Sequence, residues 1–193
     1  MTKFDSLRRQ QFRRYYQPTR ILLGVFESDA PSGINVITLC FSMTCSYKPS
    51  MMAISIHNRS KSYHLLKSTQ EFVLAVPGES MAREALFCGV ESGHEVDKAR
   101  ECGFRLINSE RVSVPGLKSA IANIELVVKA KVDTGDHLTV MGEVRRYAVD
   151  GDSRERNLLS VGPRHEGYRV LAAKGIHRIA VVGEDNHNAR SSA

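Results

Sequence analysis

From residue 124 to residue 147, apolar side chains fall on every second position, a period that only an extended chain can use. Ile124, Leu126, Val128, Ala130 and Val132 alternate with Glu125, Lys129, Lys131 and Asp133. Strand side chains switch faces at each step, so one face suits a core and the other suits water. Asp133-Thr134-Gly135-Asp136 is a turn sequence, and residues 137–147 return with Leu138, Val140, Gly142 and Val144 in the same alternation. A long antiparallel hairpin of this kind belongs to a meander or Greek-key sheet.

The remaining segments agree with that architecture. Residues 20–27 read as a strand, 28–33 as a Ser/Pro/Gly turn, 34–42 and 52–57 as two more strands, and 71–76 as another, ended by Pro77-Gly78. Short helices are expected at 63–67, at 80–88 with Gly89 as its stop, and at 95–102 closed by Gly103. Met81, Ala85, Leu86 and Cys88 are the inward positions of the second helix. Weaker strands follow at 157–161 and 176–182. Strands dominate, no Gly-x-Gly-x-x-Gly appears, and long helices do not alternate with strands, so parallel dinucleotide-type layering is disfavoured. The expectation is a mainly β, antiparallel, Greek-key barrel, closed or nearly so, with a few short helices.

Composition narrows the partners. The 193 residues suit one domain spanning 1–193, with an N-terminal helix over 1–18 and a polar tail over 184–193. No apolar run is long enough for a membrane span or a signal peptide, which leads us to expect a cytoplasmic protein with no membrane partner. A net charge of +6 favours anionic partners. Arg8, Arg9, Arg13 and Arg14, interleaved with Phe12, Tyr15 and Tyr16, could stack on nucleic acid. They equally suit the solvated face of an amphipathic helix that turns Phe4, Leu7 and Phe12 inward. With no nucleic-acid motif and no tryptophan, we read the cluster as that helix and expect no nucleic-acid partner. Cys40, Cys45, Cys88 and Cys102 lack Cys-x-x-Cys or Cys/His metal spacing, so reduced thiols and no metal site are expected.

The chemistry-bearing stretch runs from residue 34 to residue 68. One face of the first strand carries Ile34, Val36, Thr38, Cys40 and Ser42, and Ala53, Ser55 and His57 form a similar compact face on the next. Small side chains let a flat ligand approach the backbone. Asn58-Arg59-Ser60-Lys61-Ser62 then opens a helix capped by Ser60 or Ser62, where free N–H groups, hydroxyls and two cations suit a phosphate. Ser92-Gly93 followed by Asp97-Lys98 is either a second set of anion-facing donors or a turn leading into a capped helix. His137 directly follows a tight turn. It is either a turn histidine bonded to Asp136 or a proton-carrying group at a cleft. A planar group with a phosphate attached describes flavin mononucleotide.

Four segments taken together resemble the flavin reductase-like, FMN-binding split-barrel family, which includes flavoredoxins, ferric reductases and the reductase components of two-component monooxygenases. They are Asn35-Val-Ile-Thr38-Leu-Cys40, the run from Ser55-Ile-His57 to Ser62-Tyr-His-Leu-Leu66, Cys88-Gly89-Val-Glu-Ser92-Gly93-His94 through Asp97-Lys98, and Gly135-Asp136-His137 with Gly142-Glu143-Val144. The matches run from about residue 20 to about residue 147. His94 stands where many members carry arginine, and Cys40 where serine is usual. The resemblance implies a split barrel, FMN as cofactor with FAD as an alternative substrate, NAD(P)H as reductant, and a homodimer. It places the flavin against Asn35, Thr38, Leu39, Cys40, Ser55, Ile56 and His57, with Arg59, Ser60, Ser62, Tyr63, Gly89, Ser92, Gly93 and Lys98 around its phosphate end. Ser62 and Lys98 are the firmer phosphate contacts, and His137 is the catalytic residue. The implied activity is an NAD(P)H:flavin oxidoreductase. The alternative is a non-catalytic FMN-binding electron-transfer protein of the flavoredoxin kind.

Overall fold

A computed structural model describes residues 16–162 and 167–183. The expected N-terminal helix with its arginine cluster lies almost wholly outside the described residues, as does the polar tail.

Strands β1 (Thr19–Arg20) and β2 (Leu22–Glu27) lead through a turn to β3 (Ile34–Leu39), β4 (Ser42–Tyr47) and β5 (Ser50–His57). Helix α1 (Lys61–Ser68) and β6 (Glu71–Val76) follow. A short 3-10 turn (Glu79–Met81) runs into α2 (Ala82–Val90), and α3 (Lys98–Glu101) precedes the small strands β7 (Leu106–Ile107) and β8 (Gly116–Leu117). The long hairpin is β9 (Ala122–Thr134) with β10 (His137–Val149). The last described strands are β11 (Leu159–Ser160), β12 (Tyr168–Lys174) and β13 (His177–Val182).

Seven strands form one antiparallel sheet in the order β3-β2-β6-β9-β10-β5-β4. The sheet curls, because residues near its two ends share one apolar cluster. Leu39 of β3 and Ile54 and Ile56 of β5 pack there with Phe26, Phe72, Leu126 and Val140. Leu66 of α1 is buried in the same cluster. Among the described residues no ladder joins β3 to β4, so the wall stays split at that seam. The corner between them is tied to β5 instead, the Ser55 N–H donating to the Phe41 carbonyl at 3.0 Å.

A second sheet, β1-β11-β13-β12, and helix α2 share a second core with the outer face of β2, β3 and β6. Leu23, Val25, Val36, Val73 and Ala75 meet Ala85, Cys88, Leu158, Ile179 and Val181 there. Covered on both sides, β2 and β6 carry the continuous apolar runs Leu-Leu-Gly-Val-Phe and Phe-Val-Leu-Ala-Val that such strands need. Each large side chain so buried contributes about 1.5–3 kcal/mol.

The structure corrects several boundaries. The stretch expected as one strand over 34–42 breaks at Cys40-Phe41, and β4 is a separate edge strand. Helix α2 runs through Gly89 to Val90, and the helix expected over 95–102 shrinks to the single turn of α3. Glu125, expected on a solvated face, is buried at 1% exposure. Its carboxylate accepts from the Glu110 and Arg111 N–H groups and from the Arg146 guanidinium. A buried charge satisfied in this way reads in sequence like any exposed glutamate.

Candidate active site

A cavity of about 270 Å³ lies between the ends of β3 and β5, the last turns of α2 and the start of β13. Ile21, Ile37, Leu39, Ile56, Leu86 and Ile179 make its wall largely apolar. A second cavity of about 310 Å³ shares Ile37, His57, Gly89 and Val90 with the first, so the two are arms of one cleft. This arm is polar. Arg59, Ser60, Lys61 and Ser62 enter it from the start of α1, Glu91, Ser92 and Gly93 from beyond α2, and Asn35 from β3. An apolar cavity that opens onto donors and cations lets a few polar groups fix a ligand's orientation.

The helix start is built locally. Ser60 is the N-cap of α1, its Oγ accepting from the Tyr63 N–H at 3.2 Å, which settles the choice between Ser60 and Ser62. Ser62 is thereby free for the cleft. The residue is 1% exposed; its Oγ accepts from Asn35 Nδ2 at 2.7 Å, and the hydroxyl keeps its own hydrogen to donate. Gly93 packs against the other side of Asn35, where an added Cβ would stand 2.2 Å from Oδ1. Lys61 pairs with the exposed Asp29 at 2.8 Å, while Arg59 is exposed at the rim.

Lys98 lines the polar arm, but its ammonium is turned toward the end of α2, donating to the Cys88 carbonyl at 2.9 Å and the Glu91 carbonyl at 3.5 Å. A cation there complements the negative end of the helix. Burial lowers its pKa below the usual lysine value. Asp97, the N-cap of α3, accepts from the Ser32 hydroxyl and N–H and from the Arg100 N–H. Burial alone would raise its pKa, and these hydrogen bonds outweigh it to leave the carboxyl below its ordinary value. Cys88 and Cys102 face each other at 4.0 Å, and the hydrogen bond to Cys102, followed by burial, raises the Cys88 pKa.

At the apolar arm the hairpin register sets His137 opposite His57 and Thr139 opposite Ser55. His137 Nδ1 lies 2.5 Å from Asp136 Oδ1, and His57 Nε2 is 3.8 Å from the other oxygen of that carboxylate. The Arg59 N–H donates to His57 Nδ1, so Nε2 carries the proton of the neutral ring. The side chain of His137 is only 13% exposed, and the Phe41 ring lies 5.4 Å from it. Gly135, at φ +68°, makes the tight turn that sets this geometry.

The expected residues are largely brought together. Thr38, Leu39, Cys40, Ser55, Ile56, His57, Gly89 and His137 line the apolar arm, and Asn35, Arg59, Ser60, Ser62, Ser92, Gly93 and Lys98 line the polar one. Tyr63 lines neither. Its ring packs against the core under Lys67, whose ammonium is 4.6 Å from the ring centre. The compact strand face is also less open than expected. Ile34 and Val36 are core residues beneath α2, and Thr38 Oγ1 donates to the Ala85 carbonyl, so only the end of that face borders the cleft. Ser160, His177 and Arg178 complete the wall from the C-terminal sheet. Nothing in their local sequence marks them.

The chain belongs to the flavin reductase-like family: residues 12–168 match the family model for the flavin reductase like domain. An uncharacterized protein of Archaeoglobus fulgidus is 32% identical over 139 residues, covering 72% of this chain and 76% of that one. The FMN-binding protein of Thermus thermophilus, solved with bound p-hydroxybenzaldehyde, has the same fold with a TM-score of 0.75 at 20% identity, over 95% of this chain and 98% of that chain. Flavoredoxin from Methanosarcina acetivorans superposes with a TM-score of 0.74 at 16% identity, over 98% and 97% of the two chains. The NADH:FAD oxidoreductase SgcE6 of Streptomyces globisporus does so at 0.69 and 18% identity, over 82% and 92%. Among the described residues no helix is long and apolar enough to cross a membrane, and no group of three His, Cys, Asp or Glu gathers as a metal site.

Proposed function

We propose that the chain is a flavoprotein that seats FMN in this cleft and works as an NAD(P)H-dependent flavin reductase. The observation that carries the reading is the Asn35–Ser62–Gly93 cluster at the polar arm, which joins the apolar slot through shared walls. Those donors fit a phosphate monoester, and the slot fits a flat ring system. Bound there, the flavin supplies the redox chemistry, accepting hydride from the nicotinamide and passing electrons to a second acceptor. Ser62 donates to the phosphate from a fixed oxygen, Arg59 adds charge at the rim, and Lys98 acts by holding the end of α2 and the chain after it in place. His137, held by Asp136, presents Nε2 to the apolar arm, where it moves a proton or fixes the nicotinamide.

The purified protein should be yellow or take up FMN, and anaerobic NADH or NADPH should bleach it. Protein that takes up FMN but is bleached by neither reductant would be an electron carrier of the flavoredoxin kind. The fold similarity to the Methanosarcina acetivorans protein makes that second reading a concrete one.

Gly93→Ala should drive Asn35 off Ser62 and weaken FMN binding about tenfold, since one charge-assisted hydrogen bond is worth about 1.5–3 kcal/mol. Titration by flavin fluorescence quenching reads this, and an unchanged affinity would move the phosphate elsewhere. We also propose a homodimer. Met43 and Tyr47 on the edge strand β4 are 62% and 87% exposed, and Tyr147 and Val149 at the end of β10 are 56% and 66% exposed. The Ser50–Tyr147 hydroxyl contact at 2.7 Å ties β10 to β5, the neighbour of β4. Apolar groups gathered at a sheet edge favour a covering partner. Sedimentation equilibrium should give twice the chain mass, falling to one on Tyr47→Lys with Met43→Lys.

A further inference from the structure

Arg178 is a cation in the cleft to which flavin binding gives no task. It lines the apolar arm, where among the described residues no aspartate or glutamate joins it. Among the described residues its guanidinium makes no ion pair and no side-chain hydrogen bond, while its backbone pairs in the β12–β13 ladder and its carbonyl accepts from the Val161 N–H. Its mounting is firm. Arg178 sits near the tip of the β12–β13 hairpin, opposite Ala173, with Lys174 opposite His177 and Gly175 in the turn at φ +59°. Lys174 is neutralised by Glu91 at 2.5 Å, which fastens the tip to the end of α2, and Arg169 bonds Glu79 at 3.0 Å lower on the same hairpin. Ile179 and Val181 anchor the second strand in the core. A guanidinium on a rigid mount, beside an apolar wall and without a carboxylate, is set up for an incoming anion. Neighbouring His177, which is exposed, adds a second donor.

The isoalloxazine ring is uncharged in its oxidised form, and the polar arm takes its phosphate. Before hydride transfer, the anion left for Arg178 is therefore on the other molecule that must enter. We propose that Arg178, with His177 beside it, recognises the pyrophosphate of the nicotinamide dinucleotide and so makes the C-terminal hairpin the substrate-selecting wall of the cleft. This rests on the reading of the cleft as a flavin site used by NAD(P)H.

The test uses the FMN-loaded full chain, with NAD+ and NADP+ binding followed by calorimetry and turnover compared between NADH and reduced nicotinamide riboside, which lacks the pyrophosphate. Arg178→Gln should raise the dinucleotide Kd about tenfold, the worth of one lost charge-assisted contact, and R178K should recover part of it. The ratio of kcat/KM for NADH to that for the riboside should fall by the same factor, with the FMN Kd within twofold of wild type. Dinucleotide affinity unchanged in R178Q overturns the proposal, as does an equal loss with the riboside. A parallel rise in the FMN Kd overturns it by making Arg178 a flavin contact. Wild-type protein that loads FMN but binds no dinucleotide overturns both this proposal and the reductase reading, while leaving flavin binding intact. Wild-type protein that takes no FMN overturns all three.

Discussion

Alanine at both Arg59 and Ser62 should raise the FMN dissociation constant about a hundredfold, the equivalent of about 2.7 kcal/mol. On the proposed reading each residue would give a hydrogen bond to a charged acceptor, worth about 1.5–3 kcal/mol, with the exposed arginine contributing the smaller share. The apoprotein should still fold, because neither side chain caps α1, that task being Ser60's, with its melting temperature lowered by a few degrees as the buried Asn35 amide loses its partner. Ser62→Ala alone also breaks the bond from Asn35, so Asn35→Ala should reproduce much of the single-variant loss. Fluorescence-quench titration decides the matter: affinity within threefold of wild type in the double variant would mean that the phosphate lies outside the polar arm.

His137→Ala should slow flavin reduction by about a hundredfold, the lower range of what a positioned acid or base contributes, while FMN affinity changes little. Asp136→Asn should give an intermediate loss, since it leaves the imidazole in place but removes the carboxylate that orients it. Anaerobic stopped-flow mixing with NADH or NADPH measures the step directly. If the reduction rate of H137A matches wild type while turnover with the second acceptor falls, the histidine serves the oxidative half of the cycle instead.

Much of the molecule was legible from its residues, for identifiable reasons. Strands β6, β9 and β10 show continuous or alternating apolar runs, and their limits agree with the expected ones to within a few residues. Strand β4 escaped because an edge strand with Met43 and Tyr47 exposed has no core-facing period to read. The capped helix start at 58–62 was visible because capping chemistry is local. Two aspects of the site were not. Thr38 lines the cleft, yet only the packing of α2 over β3 shows that its hydroxyl goes to Ala85. Arg178 comes from a hairpin far along the chain, and what makes it notable is that no carboxylate among the described residues partners it, which no local pattern encodes. For His137 the two readings are compatible: the turn histidine bonded to Asp136 also borders the cleft.

The ladder between β5 and β10 brings together residues such as Ser55 and Thr139, 84 positions apart, and β13 adds the last wall later still. Contacts so distant along the chain are slow to assemble, because a large loop must be closed before any of them forms. During synthesis the first five strands and α1 leave the ribosome well before the segments that complete the cleft. The cleft is therefore complete only once β13 has been made, and a chain truncated before it has no complete pocket to fill.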